Sequence, residues 1–201
     1  MSAAMMSGAV MPRCEPNRWK GFMLGAVRSA AGVLAMRYYW QAASTVSGGD
    51  SRHERGNPEP QALDTISLMG THHEEGEFST AAMGRIAYRA IVGKAPESEE
   101  TRTALSYLVH WGYLMLTGGI NGALRGPTDV PDVTGGLALG LGVWLFGDEL
   151  ATPLLGVAKG PTAYPPALHA HAVAAHVAYG LNLSAATQAL YRLTDHDDAT
   201  L

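Results

Sequence analysis

The sequence is poor in charged residues and contains a single cysteine. Only 16% of its 201 residues are Asp, Glu, Lys or Arg, whereas soluble globular proteins average about 25%. The lone Cys14 excludes an intrachain disulfide framework and a zinc site built from several thiolates. A formal net charge of −4 excludes a basic nucleic-acid-binding domain. No nucleic-acid partner is therefore expected.

Apolar and small residues take the place of the missing charge. Hydrophobic residues make up 47% of the chain, which also contains 24 glycines. A helix that crosses a bilayer needs about 20 consecutive, mainly apolar residues. On that criterion we predict four transmembrane helices, at about residues 19–40, 103–124, 133–155 and 167–191. The alternative is an Ala-rich, water-soluble helical bundle.

Two of these predicted spans contain charged residues. Asp148, Glu149 and then Pro153 interrupt the third span. The helix therefore either leaves the bilayer near Gly147 or continues in broken form inside protein contacts. Arg28 lies in the middle of the first span, where its charge has to reach the interface or find a partner.

The rest of the chain is assigned around a membrane domain of residues 19–192. Residues 1–18 form a leader segment, 193–201 a polar tail, and 44–102 an extramembrane loop with a short amphipathic helix at about 78–93. His72 and His73 in that loop are flanked by acids, but neighbouring side chains cannot all face one ion, so a solvated turn is favoured over a metal site. The predicted fold is all-α: an integral membrane four-helix bundle with a long loop.

Small residues recur at four-residue spacing within the predicted spans. In a bilayer, helices associate through the close approach that such residues permit. The spacing indicates tight packing within one chain, or packing against another subunit. The repeats are Gly21 and Gly25, Gly118 and Gly122, Gly136 and Gly140, and Ala170, Ala174 and Ala178.

Ionisable and phenolic side chains inside the predicted spans form the candidate site. Such residues usually face the protein interior or a cavity. Hydrogen bonds that fix helix register, a proton relay, and ligation of haem, chlorophyll or a metal ion are the chemistries weighed. The chain lacks the Glu-x-x-His spacing of di-iron bundles, so we predict no metal, no cofactor and no catalytic residue. The candidate set is Arg28, His110, Tyr113, Asp148, Glu149, His169, His176 and Tyr179.

Several short motifs resemble those of the YagU-like family of small bacterial inner-membrane proteins. They are Lys20-Gly21-Phe22, a Gly-x-x-x-Gly followed by Trp144 and Asp148-Glu149, then Pro153, Gly156, Tyr164-Pro165 and His176-x-x-Tyr179-Gly180. The likeness extends over most of residues 18–192. It implies four spans, a multi-pass location in the bacterial inner membrane and a cytoplasmic N-terminus. It brings no catalytic residues. Lys and Arg are more numerous on the side of the long loop, which favours an external N-terminus.

We therefore expect a non-enzymatic integral membrane protein. Its expected role is that of a structural or accessory subunit that packs against lipid and against other membrane subunits or a second copy of itself. One alternative is a proton or ion pathway that uses the intramembrane Glu and His residues. The other is a haem- or chlorophyll-associated subunit of a respiratory or photosynthetic complex.

Overall fold

A computed structural model describes residues 17–48, 59–124 and 132–198, without the side chains of residues 132 and 191–198. Within these ranges every regular element is a helix, which confirms the predicted all-α class. Residues 1–16 of the predicted leader, 49–58 of the predicted loop and 199–201 of the predicted tail lie outside the described residues. Residues 44–47 and 99–102, predicted as loop, belong to α1 and α3, and residues 193–198 of the predicted tail continue α6.

The long helices occupy the predicted spans and extend beyond several of them. The elements are α1 (Arg18–Ser47), α2 (Ser79–Val92), α3 (Glu99–Leu124), α4 (Asp132–Gly142), a π-helix (Val143–Ala151), α5 (Thr152–Leu154), a 3-10 helix (Pro161–Ala163) and α6 (Pro166–Asp198).

Helix α1 begins and ends at residues suited to those positions. The Asn17 side chain accepts a hydrogen bond from the Lys20 backbone N–H at 3.0 Å, which satisfies one of the unpaired amides of the first turn. Gly48 follows the helix with φ 73°, the left-handed conformation that glycine adopts without steric cost.

The third predicted span continues through its two acids as a π-helix. The Thr152 backbone N–H bonds to the Gly147 carbonyl, so the helix is locally wider than an α-helix. In a π-helix the Asp148 carbonyl would accept a hydrogen bond from the backbone N–H of residue 153. Residue 153 is a proline, which has no N–H, so this bond cannot form. The Thr152 hydroxyl donates to this carbonyl instead, at 2.7 Å. The helix therefore neither breaks at Pro153 nor ends at Gly147.

The long helices alternate in direction. Gly21 and Gly25 of α1 lie against Gly122 and Gly118 of α3, so these two helices are antiparallel. Helix α1 is also antiparallel to α6, and α4 packs antiparallel to α6. The loop before α2 and the turn between α5 and α6 therefore share one end, which we call the loop end. Leu124 and Asp132 lie at the opposite end.

Backbones approach closely where the sequence repeats glycine. A Cβ added to Gly21 would lie 2.5 Å from the Gly122 carbonyl oxygen, a distance that real side chains do not adopt. Gly136 and Gly140 meet the backbone of α6 near Gly180 in the same way. The glycine repeats thus serve packing within the chain. In the predicted alanine repeat of α6, Ala170 is exposed and the other two are half-buried.

All four long helical segments contribute to one core. Its buried side chains are mostly small or medium in size, because the glycine contacts leave little space between the backbones. The core consists of Val33, Met36, Leu114, Val143, Ala175, Tyr179 and Leu183.

Helix α2 packs on α3. Gly84 lies against Leu105, and the Thr80 and Ser106 hydroxyls are 2.8 Å apart. Ile86 and Ile91 remain exposed, so α2 lies on the bundle with part of its apolar surface facing outward.

Among the described residues, one helix is long and apolar enough to cross a membrane. It is Val133–Leu154, the continuous run of α4, the π-helix and α5, with a mean hydropathy of 1.2 and 22% of the tested window buried. The other predicted spans are less apolar: α3, for example, contains His110 and Asn121. The coarser prediction, a helical protein with a possible membrane-spanning helix, is confirmed.

Candidate polar site between the helices

Two consecutive acids of the π-helix face two histidines of α6. Glu149 Oε1 lies 2.7 Å from His169 Nδ1, and Asp148 Oδ2 lies 3.5 Å from His176 Nε2. The π geometry rotates the helix relative to a regular α-helix, and such segments occur frequently at functional sites. We call these two contacts the carboxylate–imidazole pairs.

The contact between Glu149 and His169 holds a proton. The Nε2 atom of His169 is 2.8 Å from the Pro161 carbonyl, which only accepts, so Nε2 carries a hydrogen and donates it. The Nδ1 atom faces a carboxylate oxygen at 2.7 Å. One hydrogen must lie between these two atoms, because two lone pairs would repel at this distance. The pair is therefore either imidazolium with carboxylate or neutral imidazole with carboxylic acid.

The second pair is looser and lies deeper along α6. His176 Nδ1 donates to the Ala172 carbonyl at 2.8 Å, which leaves Nε2 directed toward Asp148. Their separation of 3.5 Å exceeds a good N–H···O hydrogen bond. The His176 side chain is 8% exposed, whereas that of Asp148 is 47% exposed. Asp148 is thus partly exposed, and on its α3 side the Tyr113 hydroxyl lies close to Gly147.

A buried hydroxyl cluster joins α1, α3 and α6. The Ser29 hydroxyl donates to the Leu114 carbonyl at 2.6 Å, and the Tyr179 hydroxyl lies 2.6 Å from Ser29 Oγ. Both side chains are fully buried. Sequence reasoning included Tyr179 but missed Ser29. The available signal was its spacing, four residues after Gly25 in the glycine repeat of α1.

The contact between Tyr39 and His171 was also missed. The Tyr39 hydroxyl lies 2.8 Å from His171 Nδ1, and the Trp40 ring packs near the same imidazole with ring centroids 6.0 Å apart. Neither residue belongs to the predicted candidate set. The position of Tyr39 beside α6 depends on how α1 and α6 pack.

The structure thus brings together part of the predicted set. Asp148, Glu149, His169 and His176 form the two pairs. Tyr113 and Tyr179 lie on the neighbouring surfaces of α3 and α6. Arg28 and His110 are half-buried on α1 and α3, outside the two pairs.

A segment of the long loop is fixed to the turn above Glu149 and His169. The Gly160 N–H bonds to the Asp64 carbonyl at 2.8 Å, and the Thr162 hydroxyl donates to the Asp64 carboxylate at 2.7 Å. The Thr162 hydrogen bond and one from the Gln61 backbone lower the pKa of Asp64. His73 Nδ1 lies 3.0 Å from the Gly156 carbonyl. This turn carries the Pro161 carbonyl that binds His169.

A cavity of about 480 Å³ lies between this loop segment and the turn. Both polar and apolar residues line it, and the ionisable ones include Asp64, His73 and Lys159. Pro153 and Ala163 of the turn also line it. The cavity is therefore a polar space at the loop end, adjoining the segment that holds His169.

Residues 72–77 of the loop are fixed to α2 by ion pairs. Arg85 contacts Glu77 at 2.7 Å and Glu74 at 3.6 Å, and it donates to the His72 carbonyl at 2.7 Å. Burial acts to raise the pKa of Glu77, but the hydrogen bonds from Arg85 and from the Glu74 backbone outweigh it and hold that pKa below its ordinary value. The His72-His73 segment is thus anchored rather than wholly solvated. No metal-binding group of three His, Cys, Asp or Glu residues occurs in the described part of the chain.

No family model, no curated protein and no solved structure matches this chain. The resemblance to the YagU-like family remains a prediction from short motifs. The chemistry of the site is argued from its own contacts.

Proposed function

We propose that this chain is an integral membrane protein without a reaction of its own. Its four long helical segments, α1, α3, α4 through α5, and α6, cross the bilayer. Their outer surfaces pack against lipid and against other membrane subunits or a second copy. The supporting observation is that apolar side chains are exposed on every one of these segments. They include Val27, Leu34, Leu108, Leu116, Ile120, Leu145, Phe146, Leu150 and Leu181.

The distribution of residues is the reverse of that in a water-soluble bundle. The interior is built largely from glycine, alanine and hydroxyl-bearing residues, while Leu108 is 68% and Phe146 is 64% exposed. Small residues inside and large apolar residues outside suit helix packing in lipid. A soluble protein rarely exposes contiguous apolar surface beyond a few hundred Å². These features favour the membrane proposal over the soluble alternative.

A crosslinking experiment in native membranes tests the accessory role. A photoreactive amino acid is placed at Phe146, on the outer face of the π-helix, and in a control at Leu63, in the loop. We expect the Phe146 position to give one stoichiometric adduct with another subunit or a second copy, and the Leu63 position to give none. Adducts to lipid alone from Phe146, Leu116 and Leu181 would contradict the accessory role.

Proton binding is the second candidate function, favoured by the geometry of the carboxylate–imidazole pairs. The contact between Glu149 and His169 requires a hydrogen between two titratable groups. Histidine is the side chain that ordinarily changes charge between about pH 5 and 8. Ionisable groups inside a membrane are costly and often mark proton relays. We propose that the two pairs take up and release protons as the pH changes.

Infrared difference spectroscopy tests proton binding directly. The protonated carboxyl group has its own C=O stretching band, so spectra recorded at about pH 6 and about pH 8, above the range in which exposed carboxylates titrate, reveal whether a shielded carboxylate gains a proton. We expect a band that Glu149→Gln removes and that Glu75→Gln, in the exposed loop, leaves unchanged. An identical spectrum in Glu149→Gln would contradict proton binding by this pair.

The haem- or chlorophyll-associated alternative is less well supported. An axial ligand needs a ring nitrogen with a free lone pair. Both nitrogens of His169 and the Nδ1 atom of His176 are engaged within the chain. An absorption spectrum of the protein purified from its own membranes tests this alternative.

A further inference from the structure

The carboxylate–imidazole pairs lie in the half of the bundle nearer the loop end. His169 is in the first turn of α6, and its partner Glu149 lies shortly before the end of the π-helix. His176 lies ten residues after Pro166, about 15 Å along the helix at 1.5 Å per residue. The hydroxyl cluster of Ser29 and Tyr179 lies about one turn deeper.

Backbone contacts close the other half. Below Tyr179, Gly136 lies against the Gly180 carbonyl and Ser184. On the other side of the bundle, Gly21 and Gly25 lie against Gly122 and Gly118. The hydroxyls of Ser184 and Thr187 are buried and donate to carbonyls of their own helix, Gly180 and Leu183. No Asp, Glu or His occurs in residues 18–33, 111–124, 133–147 or 177–190, and the charged residues of these segments are Arg18, Lys20 and Arg28 of α1. This half offers little space for water and no carboxylate or imidazole to carry a proton.

The loop end, in contrast, contains a polar cavity close to the first pair. The cavity of about 480 Å³ adjoins the turn of residues 153–163, and the Pro161 carbonyl of that turn accepts the His169 hydrogen bond. His169 is 26% and Glu149 16% exposed. Neither group is fully buried, and both lie at the end of the bundle that carries the cavity.

We propose that the two carboxylate–imidazole pairs form a proton-binding site that opens to the loop end only and does not conduct protons across the membrane. This inference rests on the proposed proton binding and adds its sidedness. The site takes up protons from the compartment that contains the long loop. The protonation state of the pairs therefore depends on the pH of that compartment, and the proton gradient across the membrane stays intact.

Several groups face the pairs from the surrounding elements. Tyr113 approaches Asp148 from α3, and Tyr164 of the turn packs edge-on against His169, with ring centroids 6.3 Å apart. Tyr179 follows His176 by one turn of α6, and Asp148 and Glu149 are neighbours on the π-helix. Helix α1 contributes Ser29 to the Tyr179 hydroxyl and carries Arg28, half-buried, at the same depth. Outside the pairs themselves, these neighbours are Arg28, phenols and hydroxyls, and the half-buried imidazole of His110 lies one turn from Tyr113 on α3.

The test uses the full-length chain in lipid vesicles, with the direction of insertion established by protease digestion of the loop. Acid is added outside, and two signals are recorded: the infrared carboxyl band and the fluorescence of a pH-sensitive dye trapped inside. With the loop outside, we expect the carboxyl band to appear while the trapped dye responds no faster than in protein-free vesicles. With the loop inside, external acid should leave the band unchanged.

The outcomes separate sidedness from proton binding. A carboxyl band that appears from the loop side only, without faster dye response, supports the proposal. A faster dye response that Asp148→Asn abolishes would overturn the sidedness and leave proton binding intact. A carboxyl band that appears equally from both sides would overturn it as well. If no band depends on Glu149 or Asp148, proton binding itself fails, and the inference fails with it.

Discussion

Replacing Gly118 by alanine tests the packing of α1 on α3. A Cβ at this position would lie 2.5 Å from the Ser29 Cβ and 2.9 Å from the Gly25 carbonyl oxygen. The second contact is with backbone, so the helices themselves have to move apart. Overpacking of this kind costs about 1–3 kcal/mol. Separation of the helices would also lengthen the hydrogen bond from Ser29 to the Leu114 carbonyl, now 2.6 Å.

Gly112→Ala is the matched control for this prediction. It lies in the same helix, and a Cβ there meets nothing within 4 Å. Both variants gain the same difference in helix propensity, about 1 kcal/mol for alanine over glycine, so comparing them cancels that term. We expect Gly118→Ala to unfold with a free energy about 1–3 kcal/mol below that of Gly112→Ala.

Reversible unfolding in detergent, followed by circular dichroism, measures the difference. A gap of 1.4 kcal/mol corresponds to about a tenfold change in the folding equilibrium constant. Equal stability of the two alanine variants would refute the close approach of α1 and α3, and with it the assignment of the glycine repeats to packing within the chain.

Three further substitutions probe other contacts. Tyr179→Phe removes the hydroxyl bonded to Ser29, and we expect a loss of about 0.5–1.5 kcal/mol in unfolding free energy, measured in the same detergent assay. Glu77→Gln weakens the ion pair with Arg85; hydrogen exchange of residues 72–77 should rise at neutral pH. In the unsubstituted chain this pair contributes fully above the ordinary pKa of glutamate, and its contribution is lost as the pH falls through the lowered pKa of Glu77. Gly156→Ala places a Cβ on a residue with φ 73° and against the backbone of the loop, so protease cleavage of residues 59–73 should become faster.

Each of these has a control in the same region. Tyr38→Phe alters an exposed tyrosine and should leave the unfolding free energy unchanged. Glu75→Gln should leave the exchange of residues 72–77 as it is. Gly142→Ala, where a Cβ meets nothing within 4 Å, should not change cleavage of the loop. Effects of equal size in a variant and its control would contradict the contact assigned to that variant.

The positions of the helices were predictable because their signals are local. Apolar runs with few charged residues are read within one segment, and α3 covers the whole of the predicted segment 103–124. The sequence places Glu149 and His169 in one candidate set but does not predict their contact, because that contact depends on how two helices pack. The π-helix was not predictable, because it arises from the wider hydrogen bonding around Pro153, a detail that hydrophobic periodicity does not report.

Contacts between helices account for the residues that were missed. Ser29 continues the four-residue spacing of Gly21 and Gly25 on α1, which predicts a packed position but not a hydrogen bond. Its role appears only once Leu114 and Tyr179 are brought beside it. Tyr39 and His171 are 132 residues apart. Short polar side chains carry little hydrophobic signal, so their function depends on the packed arrangement.

Alkaline carbonate extraction of membranes from cells that express the full chain tests the central claim most directly. High pH opens membrane vesicles and releases peripheral proteins, while proteins that span the bilayer sediment with the lipid. If α1, α3, α4 through α5, and α6 cross the bilayer, the chain stays in the pellet and enters the supernatant only with detergent. A chain recovered in the carbonate supernatant, still folded by circular dichroism, would contradict the membrane account.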